Sequence, residues 1–161
     1  MNREHKPNVV FDCMIFLQAT ASETGPAFQC LQKIEADELC LFVSQEILDE
    51  VRDVLSRPKV QRKLPLLTEE RVAALLERLQ SKANFIAEVP KLFQYERDPK
   101  DEKYLNLAIA VKAQYLVSRD LDLLALMDET LPAGSDFRQR FPNLKILEPV
   151  AFLRKLEPRK E

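Results

Sequence analysis

Glycine and histidine are scarce in this chain, with two glycines and one histidine in 161 residues. Phosphate-cradling loops of the GxGxxG or GxxxxGK type need several glycines at fixed spacing, and neither pattern occurs. The single histidine, His5, lies in the polar N-terminal segment. That makes Ser-His and Cys-His nucleophile pairs and imidazole metal sites poor candidates. Cys13, Cys30 and Cys40 are an odd set without CxxC spacing. They point to reduced thiols in a cytoplasmic protein rather than to a disulfide framework or a zinc site. No stretch approaches the roughly 18 apolar residues of a membrane span. The polar start MNREHKPNVVFD enters a strand at once and does not have the form of a signal peptide. With 24 basic and 26 acidic residues the net charge is −2, so there is no global basic field and any contact with nucleic acid must be local.

What is present is a core and an alternation. Hydrophobic residues make up 46% of the chain, enough for one folded domain over residues 1–156, followed by a charged tail, 157–161. Asn8 to Asp12 reads as a strand ending on an acid, and Ile15 to Ala21 as a short helix. Gly25-Pro26 opens a second helix to about Glu35, and Leu39 to Val43 is a strand. Ser44 caps a helix from Gln45 to Leu55, which Arg57-Pro58 stops. Thr68-Glu69-Glu70 starts another helix, running to about Lys82, and Asn84 to Val89 reads as a third strand. Asp98-Pro99 opens the next helix, whose Tyr104, Leu107, Ala108 and Val111 fall at i, i+3, i+4 and i+7. Tyr115 to Val117 is a buried strand, Asp120 to Met127 a short helix and 128–143 an irregular loop. Leu144 to Leu147 gives a fifth strand, and Pro149 to Leu156 the last helix. Strands alternating with helices predict an α/β fold: a doubly wound three-layer α/β/α sandwich around a mostly parallel five-stranded sheet.

That architecture gathers acids. In an α/β unit the N-terminus of a helix and the C-terminus of the following strand lie at the same sheet edge, where such folds bind ligands. Asp101, in a first helical turn, and Asp120, just past a strand, therefore meet at one edge. At about 100° per residue Asp101 falls between Leu105 and Ala108 on the buried stripe, where a carboxylate is costly without compensation. Asp98 reads as a cap. Asp12 closes the first strand and belongs to the same edge; alone it reads equally well as a helix cap. Among Glu46, Asp49, Glu50 and Asp53, the helical wheel puts Glu50 closest to the apolar face of Ile47, Val51, Val54 and Leu55. Carboxylates sharing one site need a cation between them, and oxygen-only donors suit Mg²⁺ or Mn²⁺. Such an ion polarises a phosphoryl group and activates water, which favours phosphodiester hydrolysis.

Three blocks, VVFDCMIF, SQEILDEVRDVLSRPKV and DPKDEKYLNLAIAVKAQYLVSRDLDLL, resemble the PIN domain over residues 8 to 153. The resemblance is nearest to the branch of toxin components of bacterial toxin–antitoxin systems. It implies a doubly wound fold, cleavage of RNA dependent on Mg²⁺ or Mn²⁺, an antitoxin protein as partner and, as is common among these proteins, a homodimer. Carried over residue by residue, it implies that Asp12, Asp101 and Asp120 hold metal directly, that Asp122 is an extra ligand, and that Glu50 holds metal or orients the water. Together these give Asp12, Glu50, Asp101 and Asp120 as the catalytic set.

The chain departs from that pattern in two places. Where the family has a small hydroxyl residue and then Asn or Ser, Cys13 and Met14 stand; where it often has Gly before the later acid, Arg119 stands. The departures favour an alternative, a catalytically weakened PIN-like module that binds RNA or protein. The run Arg57-Pro58-Lys59-Val60-Gln61-Arg62-Lys63 is a local basic segment that can follow an RNA backbone, or simply a solvated surface. No aromatic residue interleaves with it for base stacking.

Overall fold

A computed structural model of the chain describes residues 6–157. Strands β1 (Asn8–Phe11), β2 (Cys40–Ser44), β3 (Asn84–Ile86), β4 (Tyr115–Val117) and β5 (Lys145–Leu147) form a five-stranded sheet in the order β3-β2-β1-β4-β5. Every pairing is parallel. Parallel strands need crossover connections, and helices cover both faces as an α/β/α sandwich. The chain runs outward from β1 through β2 to β3, then returns to lay β4 on the other side of β1. The direction of winding changes there, and the crevice beyond the carboxyl ends of β1 and β4 is the ligand site of open α/β sheets.

Local chemistry starts the helices. Asp12 caps α1 (Cys13–Thr20), its carboxylate accepting from the Ile15 amide. Gly25, at φ 97°, and Pro26 open α2 (Pro26–Glu35). Ser44 caps α3 (Gln45–Leu55) and Thr68 caps α5 (Glu69–Lys82). Between these two lies α4 (Pro58–Lys63). Pro99–Asp101 forms a 3-10 turn that leads into α6 (Glu102–Ala110). Then follow α7 (Leu121–Leu124), a 3-10 turn over Ala125–Met127, α8 (Pro132–Arg140) and α9 (Pro149–Leu156). The core contains Val9, Val10 and Phe11 of β1, Ile47, Val51 and Leu55 of α3, and Leu105, Leu107 and Ala108 of α6. Each large apolar side chain buried this way contributes about 1.5–3 kcal/mol. Phe11 packs against Phe16 and Phe152, holding α1 and α9 to β1.

Several elements differ from the sequence expectation. Residues 128–143 are not an irregular loop: α8 runs through them, starting on Pro132. Its sequence PAGSDFRQR has no apolar period, and of its side chains Phe137 alone is fully buried, against Phe93 and Phe141. Tertiary packing on that ring outweighs weak propensity. Pro58 ends one helix and also begins the next, taking the first position of α4 where its missing N–H costs nothing. β3 is shorter than 84–89, stopping at Ile86. The helix after Asp98 begins as a 3-10 turn and stops at Ala110, with Val111 as its cap and Lys112 left-handed at φ 54°. Apart from Glu157, the charged tail lies outside the described residues, as does His5.

Gly134 carries a steric requirement. A Cβ there would lie 2.0 Å from the Asp128 carbonyl oxygen and 3.1 Å from that of Ala125. Both obstacles are backbone and cannot rotate away. Gly134→Ala is expected to cost about 2–3 kcal/mol, roughly 4–12 °C in Tm, measurable by calorimetry. An unchanged Tm would contradict this packing.

Candidate metal centre

The acids converge at the carboxyl edge of β1 and β4. Phe11 and Val117 are register partners, so the residues just beyond them, Asp12 and Ser118, are neighbours. Asp12 is 5% exposed and accepts from the Ile15 amide at 3.1 Å and from the Ser118 hydroxyl. The Ser118 oxygen also accepts from the Asp120 amide at 2.9 Å, tying the two strand ends together. Asp120 caps α7, accepting from the Asp122 amide at 2.8 Å. Asp101 ends the 3-10 turn and is 6% exposed.

Asp98, Asp101 and Asp120 each offer a carboxylate oxygen, and these lie within 4.8 Å of one another. Asp98 is thus more than a cap. It accepts from the Lys100 amide at 3.2 Å and also faces the other two acids. Asp12 stands outside this closest group, but its charge acts on Asp101, and that of Asp120 acts on Asp12. Oδ2 of Asp101 is buried without a hydrogen-bond partner. A buried carboxylate oxygen left so is expensive unless protonated or ligating a cation.

The electrostatics agree. Burial pushes the Asp101 carboxyl up to about 7, and the charges of Asp120, Asp98 and Asp12 push the same way. Burial also raises Asp12 to about 6, against the donors Ser118 and Ile15. The donors at this site are all oxygens, which fits a hard divalent ion such as Mg²⁺ or Mn²⁺.

Glu50 and Asp122 are placed differently. Glu50 is the half-buried acid of α3, and Glu46, Asp49 and Asp53 are exposed. It accepts from the Tyr104 hydroxyl, and Lys103 Nζ lies 3.2 Å from its other oxygen. Asp122 pairs with Arg97 Nε at 2.8 Å. Each of these acids has a cation of the protein beside it. Cys13 is buried and bonds the Tyr104 oxygen through its amide at 3.1 Å; Met14 is 46% exposed.

The PIN domain profile matches residues 8–122, from β1 to the start of α7. The chain belongs to the PIN domain family. Members of this family are generally nucleases that use divalent metals, and the acidic cluster of this PIN domain is of the kind that can hold one. No curated protein matches the chain.

Sequence reasoning passed over three residues of this PIN domain's site. Ser118 and Tyr104 bond the candidate acids, and Asn106 holds the loop before Asp98 by accepting from the amides of Leu92 at 2.8 Å and Phe93 at 2.7 Å. The available signal, a polar group next to a buried apolar run, applies to Ser118; Asn106 falls on the side of α6 opposite the stripe of Tyr104, Leu107, Ala108 and Val111, and its burial comes from the fold. Tyr104 looked like core because its ring is core.

The raised acids set the pH dependence of the metal-free protein. A carboxyl whose folded pKa exceeds its unfolded value stabilises the fold below the unfolded value, and that contribution is lost as pH rises through the folded value. Asp12 at about 6 and Asp101 at about 7 put the loss between about pH 4 and pH 7. Each tenfold change in proton affinity is worth about 1.4 kcal/mol. In chelator, Tm is expected to fall from about pH 4 to about pH 7, and Mn²⁺ is expected to restore it at the upper end. Asp101→Asn should flatten this fall and shrink the Mn²⁺ effect. A metal-free Tm that rises over the same interval would contradict the burial of these acids.

Proposed function

We propose that the chain is a metal-dependent endoribonuclease that hydrolyses RNA phosphodiester bonds with Mg²⁺ or Mn²⁺, acting as the toxin of a toxin–antitoxin pair. The observation that carries the nuclease reading is the partnerless buried Oδ2 of Asp101, set beside Asp98 and Asp120 in a PIN domain. Asp12, Asp101 and Asp120 hold the ion, with Asp98 added to the set read from the sequence. Asp122 is the outer ligand, drawn off by Arg97. When bound, such an ion supplies polarisation of the phosphoryl group and a lowered pKa for the attacking water. Glu50 orients that water and takes its proton on a carboxylate oxygen. Arg62 and Lys63 of α4, exposed and without ion-pair partners among the described residues, follow the RNA backbone. An antitoxin protein is the partner, and the toxin acts in the cytoplasm, as a homodimer.

A second reading, a weakened module that binds RNA or protein without cutting it, is favoured by one observation. Cys13 is buried and Met14 projects an apolar side chain from the first turn of α1, so neither offers the site a side-chain oxygen.

Cleavage of labelled RNA with Mn²⁺ decides between them. Cleavage is expected to stop in chelator and to fall at least about a hundredfold in Asp101→Asn, since even an outer-shell change costs 10–100-fold. RNA binding without cleavage at saturating Mn²⁺ would establish the second reading, and undiminished cleavage in chelator would overturn the first.

A further inference from the structure

Tyr104 joins three of the elements that carry the candidate acids. It lies on α6, one turn beyond Asp101, with its ring buried in the core. Its hydroxyl accepts from the Cys13 amide at 3.1 Å and meets Glu50 Oε1. The direction of the second bond follows from the first. An amide can only donate, so the hydroxyl oxygen receives the Cys13 proton and directs its own hydrogen to the Glu50 carboxylate. Bonds in such a chain polarise one another.

Each end of the chain answers a need. Cys13 N–H is one of the N-terminal amides of α1 that have no partner within the helix. The Asp12 side chain takes the Ile15 amide, and Tyr104 takes that of Cys13. At the other end, a glutamate side chain gives up rotamer freedom when held in one pose, so it keeps that pose only where other groups hold it. Glu50 is held on both oxygens from α6, one by Tyr104 and the other by Lys103 Nζ at 3.2 Å. Lys103 Nζ also lies 5.0 Å from the centre of the Tyr104 ring, so the two holders brace each other. One helix thus presents Asp101 at its start, aims Glu50 from its first turn, and pins the start of α1 behind Asp12.

We propose that Tyr104 is a positioning residue of the acidic centre: its hydroxyl fixes the Glu50 carboxylate against the start of α1, in register with Asp12 and Asp101. The proposal rests on the reading that these acids bind a divalent ion. Tyr104 then takes on a polar role beside the first acid, next to positions where Cys13 and Met14 offer no side-chain oxygen.

Tyr104→Phe keeps the buried ring and removes the hydroxyl, and it is tested with three readouts. Calorimetric titration with Mn²⁺, far below the unfolding midpoint, should give a Kd about 10–100-fold higher than wild type, the usual cost of an outer-shell change. Cleavage of RNA should show a kcat lowered by a similar factor with KM for RNA unchanged. In chelator, the loss of unfolding midpoint in Tyr104→Phe should shrink when Glu50→Ala is already present, because the shared bond is lost once. A wild-type Mn²⁺ affinity in Tyr104→Phe, or additive midpoint losses, would overturn the proposal. Wild-type protein that binds no Mn²⁺ is a different result and overturns the proposed function together with the inference built on it. If Tyr104→Phe does not fold, exchange of the Cys13 amide in wild type and Glu50→Ala reads the same chain of bonds. Faster exchange in Glu50→Ala supports it, and equal exchange overturns it.

Discussion

The carboxyl groups of Asp98, Asp101 and Asp120 crowd one edge of a parallel sheet, with Asp12 within electrostatic reach and Asp101 Oδ2 buried without a partner. Like charges this close cannot all stay ionised in a partly dry site without a countercharge. The protein supplies countercharge selectively. Lys103 stands beside Glu50 and Arg97 beside Asp122. Among the described residues no Lys or Arg pairs with Asp12, Asp98, Asp101 or Asp120. The inner acids are therefore the ones left in need of protons or an external cation, and the outer two are already satisfied. That division separates a place for an ion from groups that surround it.

The rest of the fold holds this arrangement in place. The β1–β4 pairing sets Asp12 and Ser118 side by side, and Ser118 bridges Asp12 to Asp120. The segment leading to Asp98 has little regular structure, yet Asn106 takes two of its amides and Glu102 takes that of Tyr95 at 2.8 Å. The Tyr95 hydroxyl reaches on to the Asp122 carbonyl at 2.5 Å. Phe93 packs on Phe137 and Phe141, in and just beyond α8. Although α8 lies past the residues that match the family, it backs the loop that delivers Asp98 and Asp101.

Much of this is legible in the amino-acid order. Alternating strand and helix signals give the architecture, and strand ends plus first turns give Asp12, Asp101 and Asp120 a common edge. The wheel ranking of α3 singles out Glu50, which is the half-buried acid of that helix. What escapes has a common cause. α8 carries no apolar period, and one ring decides it. α4 hides behind a proline that reads as a stop. Ser118, Tyr104 and Asn106 reach partners 13 to 106 residues away, a separation that local pattern does not encode.

The alternation of strands with helices, the parallel sheet and the edge where acids gather are properties of the sequence alone, because periodicity and capping are local and a strand–helix alternation admits few topologies. How those acids differ is a property of the folded chain. Folding draws Asp98 into the cluster, pairs Glu50 and Asp122 with cations, and leaves Asp101 Oδ2 alone. Those outcomes depend on burial and on charges a few ångströms apart across the fold, where Coulombic and desolvation effects are strong and sequence distance means nothing.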